Sequence, residues 1–549
     1  YSWVHLTCLW VQMNIKTLFE KSQVGDMIKS YGWVRTTRTS GSTLGFCNIN
    51  DGSNVSGLQI IISSEHFSEG KIEEFFKSVK IGCFLNCSGK LVESPAKGQK
   101  YEMMLEKYEI KGDVEEDYPL CKSKMNLDTL RNHIHLRNRT NTFGSVMRIR
   151  SSLMKILHDF YHEKGFLHLD PNIITTNECE GGAGVFQVTE NDLTEMDKLP
   201  RKQNHPLGMN GQEVANKIGD AFEMLGTNIK NSAEKIKQTD NAPVEEKIGH
   251  LVDCAANIFD GVTSKVNNHV NEMNKYDWSK DHFNCPTYLT VSSQLQLEAL
   301  ACSLGNVYTT NKSFRSEHSS TSKHVSEFTH LEIEMVNNNL DDLMDIGEEM
   351  IKYSMNEIMK RNMEDLENLN KFVSKGIVDQ LRLIANNKFE RIKYEDIIDE
   401  INYDIVNEHV KLEKINSGDD LSSLHENYIT KKYATPVFVT HWPISIKSFY
   451  MKQCDNGLCE CFDLLMPFGI GELIGASQRE DDYGKLMEIM KVKNVDEKSM
   501  EFYTDLRKYG SCPHGGFGLG FDRLLMLVTG IQNIKDVIPF PVFYKSCKY

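Results

Sequence analysis

Three stretches of the chain carry side chains suited to phosphate chemistry. The first runs Ser313-Phe-Arg-Ser-Glu317 and, after a polar loop holding Lys323 and His324, continues as Val325-Ser-Glu-Phe-Thr-His-Leu-Glu-Ile-Glu-Met335. It reads as two antiparallel strands. The two-residue period of a strand puts Leu331, Ile333 and Met335 on one face and Phe328, His330, Glu332 and Glu334 on the other. Arg315 and Glu317 share a face by the same rule. A sheet surface with Arg, His, Glu and one aromatic suits a nucleotide, because the ring stacks on a base while the cations hold phosphates. A salt-bridged outer face is the competing reading.

The second stretch, Phe462-Asp-Leu-Leu through Gly471-Glu-Leu-Ile-Gly-Ala-Ser-Gln-Arg479, sets carboxylates at 463 and 472 among small residues. Such hard oxygen donors suit Mg²⁺ bound to substrate phosphates, and Gly471 and Gly475 would let a strand approach a ligand closely. The third, His514-Gly-Gly-Phe-Gly-Leu-Gly-Phe-Asp-Arg523, reads as a glycine-rich strand entering an apolar helix that ends at Gly530. Arg523 in a first helical turn opposes the helix dipole, a mismatch that an anion in front of the helix would relieve. The glycine spacing is wrong for a dinucleotide fingerprint and no βαβ unit follows, so a Rossmann reading fails.

Those segments must be positioned by a large framework. The chain has 549 residues, 40% of them apolar and 25% charged, the composition of a globular protein of more than one domain. Lys and Arg number 62 against 77 Asp and Glu, a net charge of −15, so a phosphate-rich partner needs a local basic patch. Fourteen scattered Cys without zinc-finger spacing point to reduced thiols and a cytoplasmic protein. The apolar stretch inside Trp3 to Val11 is too short to span a bilayer.

Residues 1–26 read as an N-terminal extension. Over 27–112, five short alternating runs broken by Gly, Asn and Ser suggest a small closed barrel of the OB type, with Trp33, Arg35, Arg38 and Phe46 as candidates for meeting single-stranded nucleic acid. Barrel core is the alternative for the aromatics. Residues 113–142 read as a basic hinge: from Cys121 to Arg150 seven Lys and Arg face one acid, a local charge that suits RNA, with a solvated linker as the alternative. The remaining 143–549 form the larger domain. It opens with a helix bearing Ile149, Leu153, Ile156, Leu157 and Phe160 on one face, feeds a strand ending at Pro171, and holds two amphipathic helices within about 203–278.

Taken in order, the helix and strand ending at Pro171, the Arg315 hairpin and the Gly516 to Arg523 strand resemble the three motifs of class II aminoacyl-tRNA synthetases. The preceding barrel resembles the subgroup for aspartate, asparagine and lysine. Within it, Leu289-Thr-Val-Ser-Ser-Gln-Leu295, Ile446-Lys-Ser-Phe-Tyr-Met451 and Tyr503-Thr-Asp-Leu-Arg-Lys-Tyr-Gly510 resemble the asparaginyl-tRNA synthetases. The resemblance implies an α+β fold: an OB-fold barrel before a catalytic domain whose antiparallel sheet is flanked by helices. It implies ATP-dependent attachment of asparagine to tRNA(Asn) through asparaginyl-adenylate, with ATP as substrate, Mg²⁺ as cofactor, and a homodimer as the working form.

Carried onto this chain, the resemblance makes Arg315 the group on the α-phosphate and has Phe328 and Arg523 sandwich adenine. His324 and Arg523 would reach the γ-phosphate, and Glu317 and Glu472 would complete the ATP site. Glu472, Ser477 and Asp463 would hold Mg²⁺; Glu180 and Gln294 would place the α-amino end of asparagine. Phe46, Gln59 and Glu102 match anticodon-reading positions, and Pro171 belongs to the dimer interface. Where aspartyl enzymes carry a Lys, this chain has Leu297 followed by Glu298. A carboxylate at 298 would repel aspartate yet accept from a carboxamide, while Arg479 would donate to the amide oxygen. The alternatives are an aspartyl enzyme charging both tRNAs and an inactive RNA-binding relative. Gly184, Val185 and Val542 depart from the family's usual residues.

Overall fold

A computed structural model describes residues 13–66, 69–95, 99–120, 125–177, 184–194, 199–200 and 276–548. The two helices read within 203–278 lie, but for 276–278, outside the described residues, as do Glu180 and residues 1–12. The chain divides into two compact units. One comprises Tyr1–Ile173, Asn177–Val185 and Thr290–Tyr549, and the other Ile174–Thr176 and Phe186–Leu289.

In the first unit, β1 (Met27–Ser40), β2 (Leu44–Asn50), β3 (Leu58–Ser63), β4 (Phe84–Glu93) and β5 (Tyr101–Gly112) close into a barrel in the order β1-β2-β3-β5-β4. Alternation fills it: Cys47, Ile49, Ile60, Ile62, Leu85 and Met103 are buried. Phe46 falls on the other parity of β2 and is only half-buried, so it is not barrel core. The supposed extension contributes to this domain from residue 13 onward. Asn14 caps the helix Ile15–Lys21, and Ile15 and Leu18 enter the barrel core.

The larger domain is built on an eight-stranded sheet. Its strands are β6 (Leu167–His168), β9 (Val307–Phe314), β10 (Glu327–Val336), β11 (Glu390–Lys393), β12 (Val437–Thr440), β15 (Cys461–Met466), β16 (Gly471–Gln478) and β17 (His514–Gly520). Their order is β11-β12-β15-β16-β17-β10-β9-β6. The sheet is antiparallel except at its edges, where β6 runs parallel to β9 and β11 parallel to β12. A ribbon of β13 (Gln453–Cys454) and β14 (Leu458–Cys459) precedes β15. In the second unit, β7 (Ile174–Thr175) pairs with β8 (Tyr288–Leu289), and the Tyr276 hydroxyl donates to Asp281 over 2.9 Å.

Helices cover one face of the sheet. The helix Asn141–Glu163 buries the five apolar residues named from its periodicity, each contributing about 1.5–3 kcal/mol by leaving water. With Leu340–Arg361, Ile377–Asn386 and Phe521–Thr529 it encloses the main core against Leu331, Ile333, Ile474 and Phe517. The opposite face carries the polar residues of β10, β16 and β17. No described helix is long and apolar enough to cross a membrane.

Four arginines of the basic stretch are held by acids within the fold. Lys122 and Lys124 lie outside the described residues, while Arg131 makes a bidentate pair with the buried Asp536, at 2.8 and 2.5 Å. Arg137, fully buried, donates to Asp536, Lys535 O and Ile538 O. Arg148 pairs with Asp365 at 2.7 Å and Arg150 with Asp522 at 2.5 Å. Burying a guanidinium is tolerable only with such partners, so these four charges are spent on folding, while Arg139 instead lies over Trp33 and Tyr118. Short helices at Leu127–Leu130 and Ile134–Arg137 form where the sequence showed no period.

Candidate active site

The hairpin of β9 and β10 presents the first cleft. Its strands pair Phe314 with Glu327 and Ser313 with Phe328, and the Arg315 amide donates to Ser326 O at 3.0 Å, so Arg315 and Phe328 emerge together. The guanidinium carbon of Arg315 lies 5.4 Å from the Phe328 ring centre, within cation–π range. The loop between them is pinned from outside: Ile534 N donates to Ser322 O at 2.8 Å and Ser326 N to Val542 O at 2.7 Å. The departure at Val542 thus leaves a backbone contact that no side chain is needed to make. Within the loop the Thr321 hydroxyl and His324 Nδ1 lie 2.5 Å apart. Burial and the Arg523 charge lower the His324 pKa, favouring the neutral ring.

Next to β10, the glycines of β17 make room for these side chains. A Cβ at Gly516 would lie 2.2 Å from Glu334 Oε2, and one at Gly518 would lie 2.4 Å from His330 Nε2. Asp522, in the first turn of Phe521–Thr529, accepts from Thr329 N and pairs with Arg150, holding the helix start against the hairpin. Its charge suits the helix dipole, whereas the Arg523 guanidinium reaches away and donates to Glu472 O at 2.7 Å. The resulting cleft of about 120 Å³ is lined by Arg315, Glu317, Lys323, His324, Phe328, Glu472 and Arg523, among others. All six residues assigned to ATP are in that lining.

A second cavity of about 450 Å³ adjoins it and shares Arg315, His330, Glu472, Gly475 and Gly518. Gln294, Leu297, Tyr450, Asp463 and Arg479 belong to its wall. Asp463 faces Gly475 across the β15–β16 pair, where a Cβ would lie 3.4 Å from Glu472 Oε1 and 3.7 Å from Asp463 Oδ1. Lys447 donates to Asp463 Oδ2 at 2.7 Å; even so, burial and the Glu472 charge push Asp463 up to about 6. Arg479 donates twice to the buried Glu334, at 3.1 and 2.9 Å, and once to Ser477 Oγ at 2.6 Å. Behind it, Glu298 accepts from Tyr503, Arg507 and Gln294 at 2.6, 2.9 and 3.0 Å, with His514 Nε2 at 3.1 Å.

On the barrel, Asn48 of β2, Gln59 of β3 and Glu102 of β5 stand in register across three strands, with Phe46 two residues from Asn48. Phe46, Gln59 and Glu102 therefore share one face. Arg38 covers the Phe46 ring at 4.5 Å, and Glu102, nearly buried, accepts from Ser94 Oγ at 2.8 Å.

Comparison with known proteins fits both halves. The family of class II tRNA synthetases (D, K and N) matches residues 126–201 and 265–543, and the OB-fold nucleic acid binding domain matches 28–111. The asparagine–tRNA ligase of Clostridium tetani is 36% identical over 534 residues, 96% of this chain and 98% of that one. That of Bacteroides fragilis is 35% identical over 530 residues, 96% of this chain and 97% of its own. The chain belongs to the asparagine–tRNA ligases of class II. Among solved structures, the Pyrococcus horikoshii asparaginyl-tRNA synthetase complexed with asparaginyl-adenylate aligns with a TM-score of 0.71 at 26% identity, over 95% of this chain and 96% of that one. A putative aspartyl-tRNA synthetase from Leishmania major, at 19% identity and a TM-score of 0.68 over 100% of this chain and 97% of that one, shares the fold.

In this asparagine–tRNA ligase, two assigned residues lie off the cavity walls. Glu298 is not in the lining of the larger cavity. It is fully buried and its oxygens meet Tyr503, Arg507, His514 and Gln294; it pairs with Arg479 at 3.7 Å, whereas Glu334 holds the same guanidinium more closely, at 2.9 Å. Ser477 lines neither cavity; it is buried, its hydroxyl is bound by Arg479, and the small residue beside Glu472 and Asp463 is Gly475. Gly184, a departure from the ligase pattern, has a local cause: its carbonyl accepts from Ser316 N, and a Cβ would lie 2.4 Å from Ser316 Oγ.

Other cavity residues went unassigned from the sequence. Glu332 accepts from Ser293 N and from the Ser292 hydroxyl, fixing the start of the helix Gln294–Leu304. Period two had placed it on this face without a partner. Lys447 and Tyr450 sit in one of the stretches that resembled the ligases, which was the available signal. Glu426, which lies outside both cavity linings and outside every motif, is a near neighbour; burial and the Glu472 charge push it up to about 7.

Proposed function

We propose that the joined clefts are where this asparagine–tRNA ligase condenses asparagine with ATP. The acyl group then passes from the adenylate to the terminal ribose hydroxyl of tRNA(Asn). The observation that carries the reading is Arg315: it lines both cavities, beside Phe328 on the nucleotide side and within reach of the space walled by Gln294 and Arg479. A carboxylate in the larger cavity and an α-phosphate in the smaller would meet there. The guanidinium would neutralise charge as it develops on phosphorus, and no covalent enzyme intermediate is required. Phe328 and Arg523 would enclose the base, with Glu317 beside them and His324 toward the phosphate tail.

Asparagine is favoured over aspartate by the state of Arg479. It reaches the cavity already neutralised by Glu334, and Leu297 supplies no second cation. Three of its five N–H groups are engaged, leaving donors that suit a neutral carboxamide oxygen. Gln294, held by Glu298, would meet the α-amino end of asparagine together with Glu180. ATP–pyrophosphate exchange with the two amino acids side by side tests this. Exchange supported by asparagine and not by aspartate is expected; comparable exchange with aspartate would defeat the reading.

Mg²⁺ fits the donor set at the junction. Glu472 and Asp463 present carboxylate oxygens on either side of Gly475, a hard-ligand pair that would hold the ion and leave positions for phosphate oxygens. The bound ion would supply charge neutralisation on the triphosphate. Free thiols at all described cysteines suit a reducing compartment, and we place the protein in the cytosol.

The barrel face with Phe46, Gln59 and Glu102 would take the anticodon, Phe46 by stacking. Base–aromatic stacking contributes about 1–3 kcal/mol, so Phe46→Ala should raise KM for tRNA roughly tenfold and leave tRNA-independent exchange intact. An unchanged KM would remove the face from tRNA binding. For a homodimer, the edge strand β6 supports an interface: Leu167 and Ile173 are exposed on either side of Pro171, whose carbonyl accepts from Asn311. Pro171→Gly should shift sedimentation toward monomer at micromolar concentration, and an intact dimer would count against this placement.

A further inference from the structure

Glu426 is an acid near the nucleotide cleft that comes from neither the hairpin nor the glycine-rich strands. It sits in the first turn of the helix Ser423–Tyr433, whose start is fixed by a capping box between Ser422 and His425. At Gly471, with φ of +72°, an added Cβ would lie 2.2 Å from Glu426 Oε2 and 3.3 Å from Lys323 Nζ. Carboxylate and ammonium therefore border the same space, which the absent side chain at 471 leaves open, and each feels the other's charge. Lys323 belongs to the cleft lining, next to Glu472 and Arg523, and Glu426 does not. The acid thus lies off the lining, under the influence of Glu472 and Lys323.

We propose that Lys323 contacts the phosphate tail of ATP and that Glu426 is a positioning residue which holds its ammonium there. The inference rests on the reading of this cleft as the ATP site. Lysine is a flexible point charge, and a phosphate contact made by an unheld one loses much of its value to side-chain entropy. Here the backbone is fixed at Ser322 and Ser326, so only the side chain needs restraint. A carboxylate on a capped helix provides it. It also offsets the repulsion that Lys323 feels from Arg523 while the cleft holds no phosphate.

The test is steady-state ATP–pyrophosphate exchange on the full chain, wild type against Glu426→Gln, Glu426→Asp, Lys323→Met and the Gln/Met double variant. Glu426→Gln should raise KM for ATP about tenfold, the scale of one charge-assisted contact, and leave KM for asparagine in place. Glu426→Asp, which keeps the charge, should recover part of the loss. Joined to Lys323→Met, Glu426→Gln should add nothing. Multiplying effects, a parallel rise in both KM values, or wild-type behaviour of Glu426→Gln would each overturn the proposal. Wild-type protein without asparagine-dependent exchange would overturn the ATP reading itself, and the proposal with it.

Discussion

Arg315→Ala should fold, bind tRNA and form asparaginyl-adenylate about 10²–10³ times more slowly than the wild-type chain, the usual consequence of removing a donor from a developing charge. The fold should survive because the hairpin is closed by the backbone of residue 315, whose amide reaches Ser326 O, and not by its side chain. Phe328 would lose the cation beside its ring, a term of about 0.5–1 kcal/mol that loosens the base without ejecting it. The loss should therefore appear mainly in kcat for exchange, with a smaller rise in KM for ATP. Arg315→Lys keeps the charge and gives up the planar fork, and should fall between the two. Pre-steady-state adenylate formation separates these cases, with filter binding as the check on tRNA. Near-normal exchange by Arg315→Ala would take the residue out of the reaction.

Arg315 and Phe328 were legible in the sequence because a strand has only two faces, so five polar residues at alternate positions identify a working surface. Parity fails where the strand is irregular. Between Leu464 and Leu465 the β15–β16 register slips by one residue, and this bulge brings Glu472 onto the face shared by Asp463 and Gly475. Nothing in the composition of Gly471–Gln478 announces it, and the Ser477 hydroxyl, of the same strand, accepts from Arg479. The basic stretch is a different matter. Arg131, Arg137, Arg148 and Arg150 meet acids 217 to 405 positions away, pairings that local charge counting cannot see. Family resemblance supplied order and identity. Which of two buried glutamates faces the guanidinium was a question of packing.

That question has an energetic answer that can be measured. Glu298 was read from its neighbours as a direct acceptor for the substrate amide, but it lies at the centre of a dry cluster with Arg507, His514, Tyr503 and Arg479. Burial alone would raise its pKa; Arg507 first, with His514 and Arg479, holds the carboxyl well below the usual carboxylate range. Glu298→Gln keeps the shape and an acceptor for Gln294 but strips the counter-charge from Arg507. Breaking a buried pair in this way costs about 3–5 kcal/mol. A carboxyl with a depressed folded pKa contributes stability above its unfolded pKa and loses it as pH falls toward the folded value. The gap between wild type and Glu298→Gln in urea unfolding should thus be widest near neutrality and narrow steadily below the ordinary glutamate range. KM for asparagine should move less than stability does, because the cavity wall itself is unchanged. A variant that unfolds like wild type while KM for asparagine climbs by a hundredfold would mean that the carboxylate touches substrate, and that the buried cluster is not what positions Arg479.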